Sequence, residues 1–105
     1  FVATQNGRVL GGVGIAEYDP THGVAELQKF YVHGDLQGHG IGKRLLQHAL
    51  DYARQVGYQS VYLETYHTLK TAVHVYHEFG FTDLPRPLVN AQHQLMDQFL
   101  VKKLA

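Results

Sequence analysis

The chain has 105 residues, with nine Lys and Arg balanced by nine Asp and Glu, and 45% of its residues are hydrophobic. That length suits one small domain, the apolar share argues against disorder, and the charge balance argues against a nucleic-acid partner. There is no Cys, so disulfides, zinc–thiolate sites and cysteine nucleophiles are excluded. No apolar run approaches the ~20 residues that span a bilayer, and no signal-peptide pattern opens the chain. The expected location is therefore cytoplasmic, with no membrane partner.

The first third reads as strands. Phe1 to Thr4 is a short apolar piece, and Asn6-Gly7 is the pair of a tight hairpin turn. Val9 to Tyr18 alternates loosely and contains Gly11, Gly12 and Gly14, which predicts bulges or close backbone approach. Asp19 to Gly23 is a second turn. Val24 to Val32 is the third strand of an antiparallel meander.

The period then changes. Ile41, Leu45, Leu46, Ala49, Leu50, Ala53 and Val56 form one apolar helical stripe, and Gly57 supplies a stop. Ser60 to Tyr66 is the next strand, with Val61 and Leu63 facing inward. It is expected to lie parallel to Val24–Val32, with the helix as a right-handed crossover. A second helix is predicted from Leu69 to Phe79, with Leu69, Ala72, Val73 and Tyr76 on one face and Gly80 at its end. Pro85-Arg86-Pro87 is a rigid loop. Gln92 to Leu104 reads as a long final strand, with Leu95, Phe99 and Val101 among its apolar residues. These elements predict an α/β (α+β) fold with a mixed, mostly antiparallel sheet around a β-α-β core.

The connection into the first helix is Gln37-Gly38-His39-Gly40-Ile41-Gly42-Lys43. Alternating glycines let several N–H groups point one way at a helix N-terminus, which makes a nest for a pyrophosphate. Lys43 and Arg44 add positive charge. A Walker loop is excluded, because Gln37 stands where Gly is required and Arg44 where Ser or Thr is required. The dinucleotide fingerprint fails as well, since its last Gly falls on Lys43 or Leu45.

Gln37 to Gly42 resembles the Gln/Arg-x-x-Gly-x-Gly/Ala loop of the GNAT acetyltransferase superfamily. Ala25-Glu26-Leu27-x-x-Phe30-Tyr31-Val32 looks like that family's central strand. Ala72 to Phe81, with Tyr76-x-x-x-Gly80-Phe81, is similar to its late helix. The three segments come in the family's order and cover roughly the whole chain. The family's domain usually opens with a strand and two helices, for which this chain has no room, so residues 1–105 are expected to be a single domain that is incomplete at its N-terminus. Leu69 stands where the family often has a cofactor-contacting Asn.

The resemblance implies transfer of an acetyl group from acetyl-CoA to a primary amine by direct attack, without a covalent enzyme intermediate. It assigns cofactor contacts to Phe30, Tyr31, Val32, Gln37, Gly38, His39, Gly40, Ile41, Gly42 and Lys43. It makes Tyr76 the acid for the departing thiolate and Glu26 a general base, with Glu64 a second candidate. A small molecule or a protein amine is the implied acceptor, and a homodimer the implied assembly. The alternative is a non-catalytic GNAT-like module that only holds CoA, or a partial domain. His33 and His39 are expected beside the cofactor cleft. His74 and His77 are three residues apart, but the apolar stripe of their helix omits both, so a solvated face is expected and no metal site is assigned.

Overall fold

The structure is a computed structural model, and it describes residues 1–34, 40–88 and 95–104. Strand β1 (Val2–Gln5) turns through Asn6-Gly7 into β2 (Arg8–Asp19). Both turn residues have positive φ, 52° at Asn6 and 77° at Gly7, the geometry that suits the right-handed twist of a two-residue hairpin. A 3-10 turn (Pro20–His22), capped by Asp19, leads to β3 (Val24–Val32). Helix α1 (Ile41–Val56), β4 (Ser60–Thr65), α2 (Lys70–Glu78), β5 (Thr82–Leu84) and β6 (Gln98–Lys103) complete the order. Among the described residues the strands form one sheet in the order β1-β2-β3-β4-β6-β5. Only β3 and β4 pair in parallel, so the mixed, mostly antiparallel sheet matches the sequence reading.

Both helices lie on one face of that sheet. The α1 stripe buries Leu45, Leu46, Ala49, Leu50 and Ala53 against Val13, Leu27, Val61, Leu63 and Leu100. Gly57 stops α1 with its N–H on the Ala53 and Arg54 carbonyls. Val56 falls outside the stripe and is 53% exposed. Strand β4 is central, and Tyr62 is as buried as its neighbours Val61 and Leu63 although it points to the opposite face.

Two boundaries differ from expectation. The apolar side of α2 is Ala72, Val75, Tyr76 and Phe79, whereas Leu69 is 51% exposed and precedes the helix. The last strand begins at Gln98 rather than Gln92. Its partner β4 ends at Thr65, opposite Gln98, so the ladder between them stops there. Leu95 is accordingly 78% exposed, and residues 92–94 lie outside the described residues.

Candidate active site

Strand β3 is bent where the site is built. Gly12 pairs with Tyr31 and Gly14 with Gln28, so β3 carries one more residue than β2 over that stretch. The surplus is a β-bulge, and Lys29 takes a left-handed φ of 53° within it. The bulge resets the alternation. Leu27 faces the helices, and after the bulge Phe30 and Val32 face them too. Tyr31 is thrown to the other side and lies against Gly12, where a Cβ would come within 2.8 Å of its ring.

The same strand leaves its parallel neighbour. Pairing of β3 with β4 covers Val24 to Glu26 against Ser60 to Tyr62, yet β3 runs on to Val32 and β4 to Thr65. Past Glu26 and Tyr62 the two strands part. This leaves an opening in the sheet edged by Leu27–Val32 on one side and Leu63–Thr65 on the other.

The N-terminus of α1 faces the far end of that opening. Gly40, at φ 79°, is its N-cap and offers no side chain to it. The first-turn N–H groups at Ile41, Gly42 and Lys43 therefore have no intrahelical acceptor. A Cβ on Gly42 would stand 3.3 Å from the Phe30 ring and 3.5 Å from Val32, so glycine lets α1 start directly on β3. Gln37, Gly38 and His39 lie outside the described residues. The Lys43 ammonium is 3.5 Å from the Glu78 carboxylate; this is a surface pair of little strength.

Tyr76 closes the group. Its ring lies 5.9 Å from Phe30 and 5.7 Å from Phe81. Gly80, at φ 92°, reverses the chain after α2 and brings Phe81 back, with the Phe81 N–H on the Tyr76 carbonyl at 3.0 Å. That is the physical content of the Tyr-x-x-x-Gly-Phe spacing: a left-handed helix end whose following apolar residue packs on the last turn. The side chain is 5% exposed, and burial pushes the phenol up to about 12. Its hydroxyl bonds to none of the described residues, and none of their buried polar side-chain atoms is unpaired, so the hydroxyl meets solvent.

The carboxylates lie across the sheet from Tyr76. Glu26 is half-buried and accepts a hydrogen bond from Gln28 Nε2 at 2.6 Å. Tyr62 donates to Glu64 at 2.8 Å, and its ring stacks at a tilt on Tyr18 with centroids 4.8 Å apart. Burial, then the Glu64 carboxylate, holds the Tyr62 phenol far above its ordinary range. Glu26 and Tyr76 can meet a common ligand only through the gap between β3 and β4. His33 is exposed beside Tyr31. His74 and His77 are on the solvated face as expected, pairing with Glu78 at 3.5 Å and Asp83 at 3.0 Å. No metal-binding cluster occurs among the described residues.

The sequence reading passed over one pair, His67 with Asp97. Thirty residues separate them, so no local spacing marks them; only the register of β4 on β6 brings them together.

The model of the GNAT family of acetyltransferases matches residues 1–81. The chain belongs to that family. YjgM of Escherichia coli, named an uncharacterized N-acetyltransferase, is 38% identical over 82 residues, which are 77% of this chain and 49% of YjgM. The chain spans about half the length of the curated relatives it matches. A GNAT-family acetyltransferase from Staphylococcus aureus superposes with a TM-score of 0.89 at 22% identity, over 99% of this chain and 66% of that one. A structure of yncA from Salmonella typhimurium with its cofactor acetyl-CoA has a TM-score of 0.81 at 24% identity, over 99% of this chain and 63% of that one. At those identities the structures speak for the fold.

Proposed function

We propose that this chain holds acetyl-CoA in the gap between β3 and β4 and moves its acetyl group to a primary amine by direct attack. The observation that carries this reading is the parting of β3 from β4 beside an uncapped α1 N-terminus and the Tyr76 hydroxyl. Family membership supports it, as does the acetyl-CoA present in the yncA structure.

Acetyl-CoA supplies the activated acyl group. The chain supplies position and charge. The N–H groups of Ile41, Gly42 and Lys43, which have no intrahelical acceptor, suit phosphate oxygens, with the Lys43 and Arg44 side chains close by. The β3 backbone at Phe30–Val32 borders the gap and offers hydrogen bonds to an extended amide arm, and an N–H there to the thioester oxygen. Tyr76 then faces the departing sulfur. A phenol at about 12 is a weaker acid than a thiol near ~8.5, by roughly three thousandfold. Tyr76 therefore steadies the thiolate by donating a hydrogen bond, rather than by giving its proton up completely. Glu26 stays a base candidate on the opposite face.

A second reading, CoA binding without transfer, is favoured by one observation: among the described residues no helix covers the face that bears Glu26 and Tyr31. Incubating the chain with acetyl-CoA and a panel of amines, and following thiol release, separates the two. Amine-dependent release supports transfer; saturable CoA binding without release supports the second reading. The exposed edges β1 and β5 support the proposed homodimer, and the proposed location is cytoplasmic.

A further inference from the structure

His67 and Asp97 meet at the carboxyl end of β4, the strand that borders the gap, on the flank where β4 pairs with β6. His67 follows β4 by two residues and Asp97 directly precedes β6. The Asp97 N–H donates to the Thr65 carbonyl at 3.1 Å, which fixes Asp97 on the end of β4. One carboxylate oxygen accepts the His67 backbone N–H at 2.8 Å, and the other meets the ring Nδ1. The His67 backbone N–H and ring together hold the Asp97 carboxyl below the usual range, so it is an anion. An anionic acceptor at Nδ1 demands a proton there, which leaves the lone pair of the neutral ring on Nε2. That nitrogen has no partner among the described residues, and the His67 side chain is 67% exposed. Apart from Asp97, no charged side chain among them is in ion-pair range of His67.

The location gives the pair a use. β3 and β4 are parallel and part toward their carboxyl ends, so the opening widens on that side. His67 lies at the carboxyl end of β4, directly before α2, the helix that carries Tyr76. We propose that His67, oriented by Asp97, is the base that takes the proton from the acceptor amine. This rests on the acetyl-transfer reading. The amine nitrogen forms a bond to the thioester carbonyl carbon, the C–S bond breaks, and its electron pair leaves on sulfur. The surplus N–H proton passes to His67 Nε2, and Asp97 stabilises the resulting imidazolium. His67 returns that proton to solvent while the thiolate takes one from it, so no proton is gained or lost.

The test is the pH dependence of kcat/KM for acetyl transfer by the wild-type chain, H67Q and D97N, with acetyl-CoA affinity measured alongside. Gln at position 67 can still donate to Asp97, which preserves the structural contact. H67Q is expected to lose roughly 100-fold or more in kcat/KM at neutral pH and to lose the acidic limb of the profile, with acetyl-CoA affinity unchanged. D97N should keep the limb at lower turnover. A separate ¹⁵N NMR measurement of the ring should find Nδ1 protonated in the wild type. An acidic limb that persists in H67Q, or a ring protonated at Nε2 instead, overturns the assignment of His67 alone. A chain that binds acetyl-CoA but acetylates no amine overturns the transfer reading, and His67 with it.

Discussion

Tyr76 owes its chemistry to the rings around it. Phe30 and Phe81 pack on the ring and leave little of it to water, which makes ionisation costly and keeps the hydroxyl a donor at neutral pH. Tyr76→Phe should lower turnover by roughly 10–1000-fold while leaving acetyl-CoA affinity nearly intact, since the ring stays and only the donor goes; steady-state kinetics beside calorimetry read both. Unchanged turnover would remove Tyr76 from the reaction. The raised phenol also predicts an alkaline signature. A group that ionises less readily when folded stabilises the fold fully below its unfolded value of ~10, and that stability is lost as pH rises through about 12. Urea midpoints should therefore fall between those pH values, and fall less steeply in Tyr76→Phe. The Tyr62 phenol, also raised, adds to the wild-type slope and leaves a residual one in the variant.

At the scale of elements, α1 does two jobs. Its buried stripe anchors the sheet, and its N-terminus faces the gap. Leu46 is fully buried, so Leu46→Ala should cost about 2–5 kcal/mol, read as a lower denaturation midpoint with an unchanged slope. Gly40→Val puts a β-branched side chain at φ 79°, a conformation such residues avoid. It should abolish acetyl-CoA binding while the helix stays folded, as circular dichroism would report; retained affinity would contradict the role given to this turn. The α1 stripe was legible in the sequence because six apolar residues, Ile41 to Ala53, repeat with helical period. The Tyr76-x-x-x-Gly80-Phe81 contact was legible because the helix end needs that spacing. Other features were hidden. The glycines of β2 announce the irregularity between Gly12 and Gly14, but its extra residue falls on β3, where Lys29 carries no such mark. The start of β6 depends on where β4 stops. The contact of Asp97 with His67 depends on register between strands far apart in sequence.

The whole molecule is a small mixed sheet with both helices on one face, open between β3 and β4. Topology makes the opening: β3 is held by β2 through its bulge, β4 is held by β6, and the ladder between the two ends at Glu26 and Tyr62. The strands and helices followed from periodicity, and the parallel pair from the crossover connection between them. Which face each carboxylate occupies did not, because strand alternation assigns faces only once the register is known. That is why Glu26 and Tyr76, both singled out from the sequence, turn out to lie on opposite sides. The most direct test of the gap is calorimetric titration of the 105-residue chain with acetyl-CoA and with free CoA. One saturable site for both ligands, with affinity on the order of micromolar, is the predicted result. A chain that unfolds cooperatively yet binds neither would contradict it.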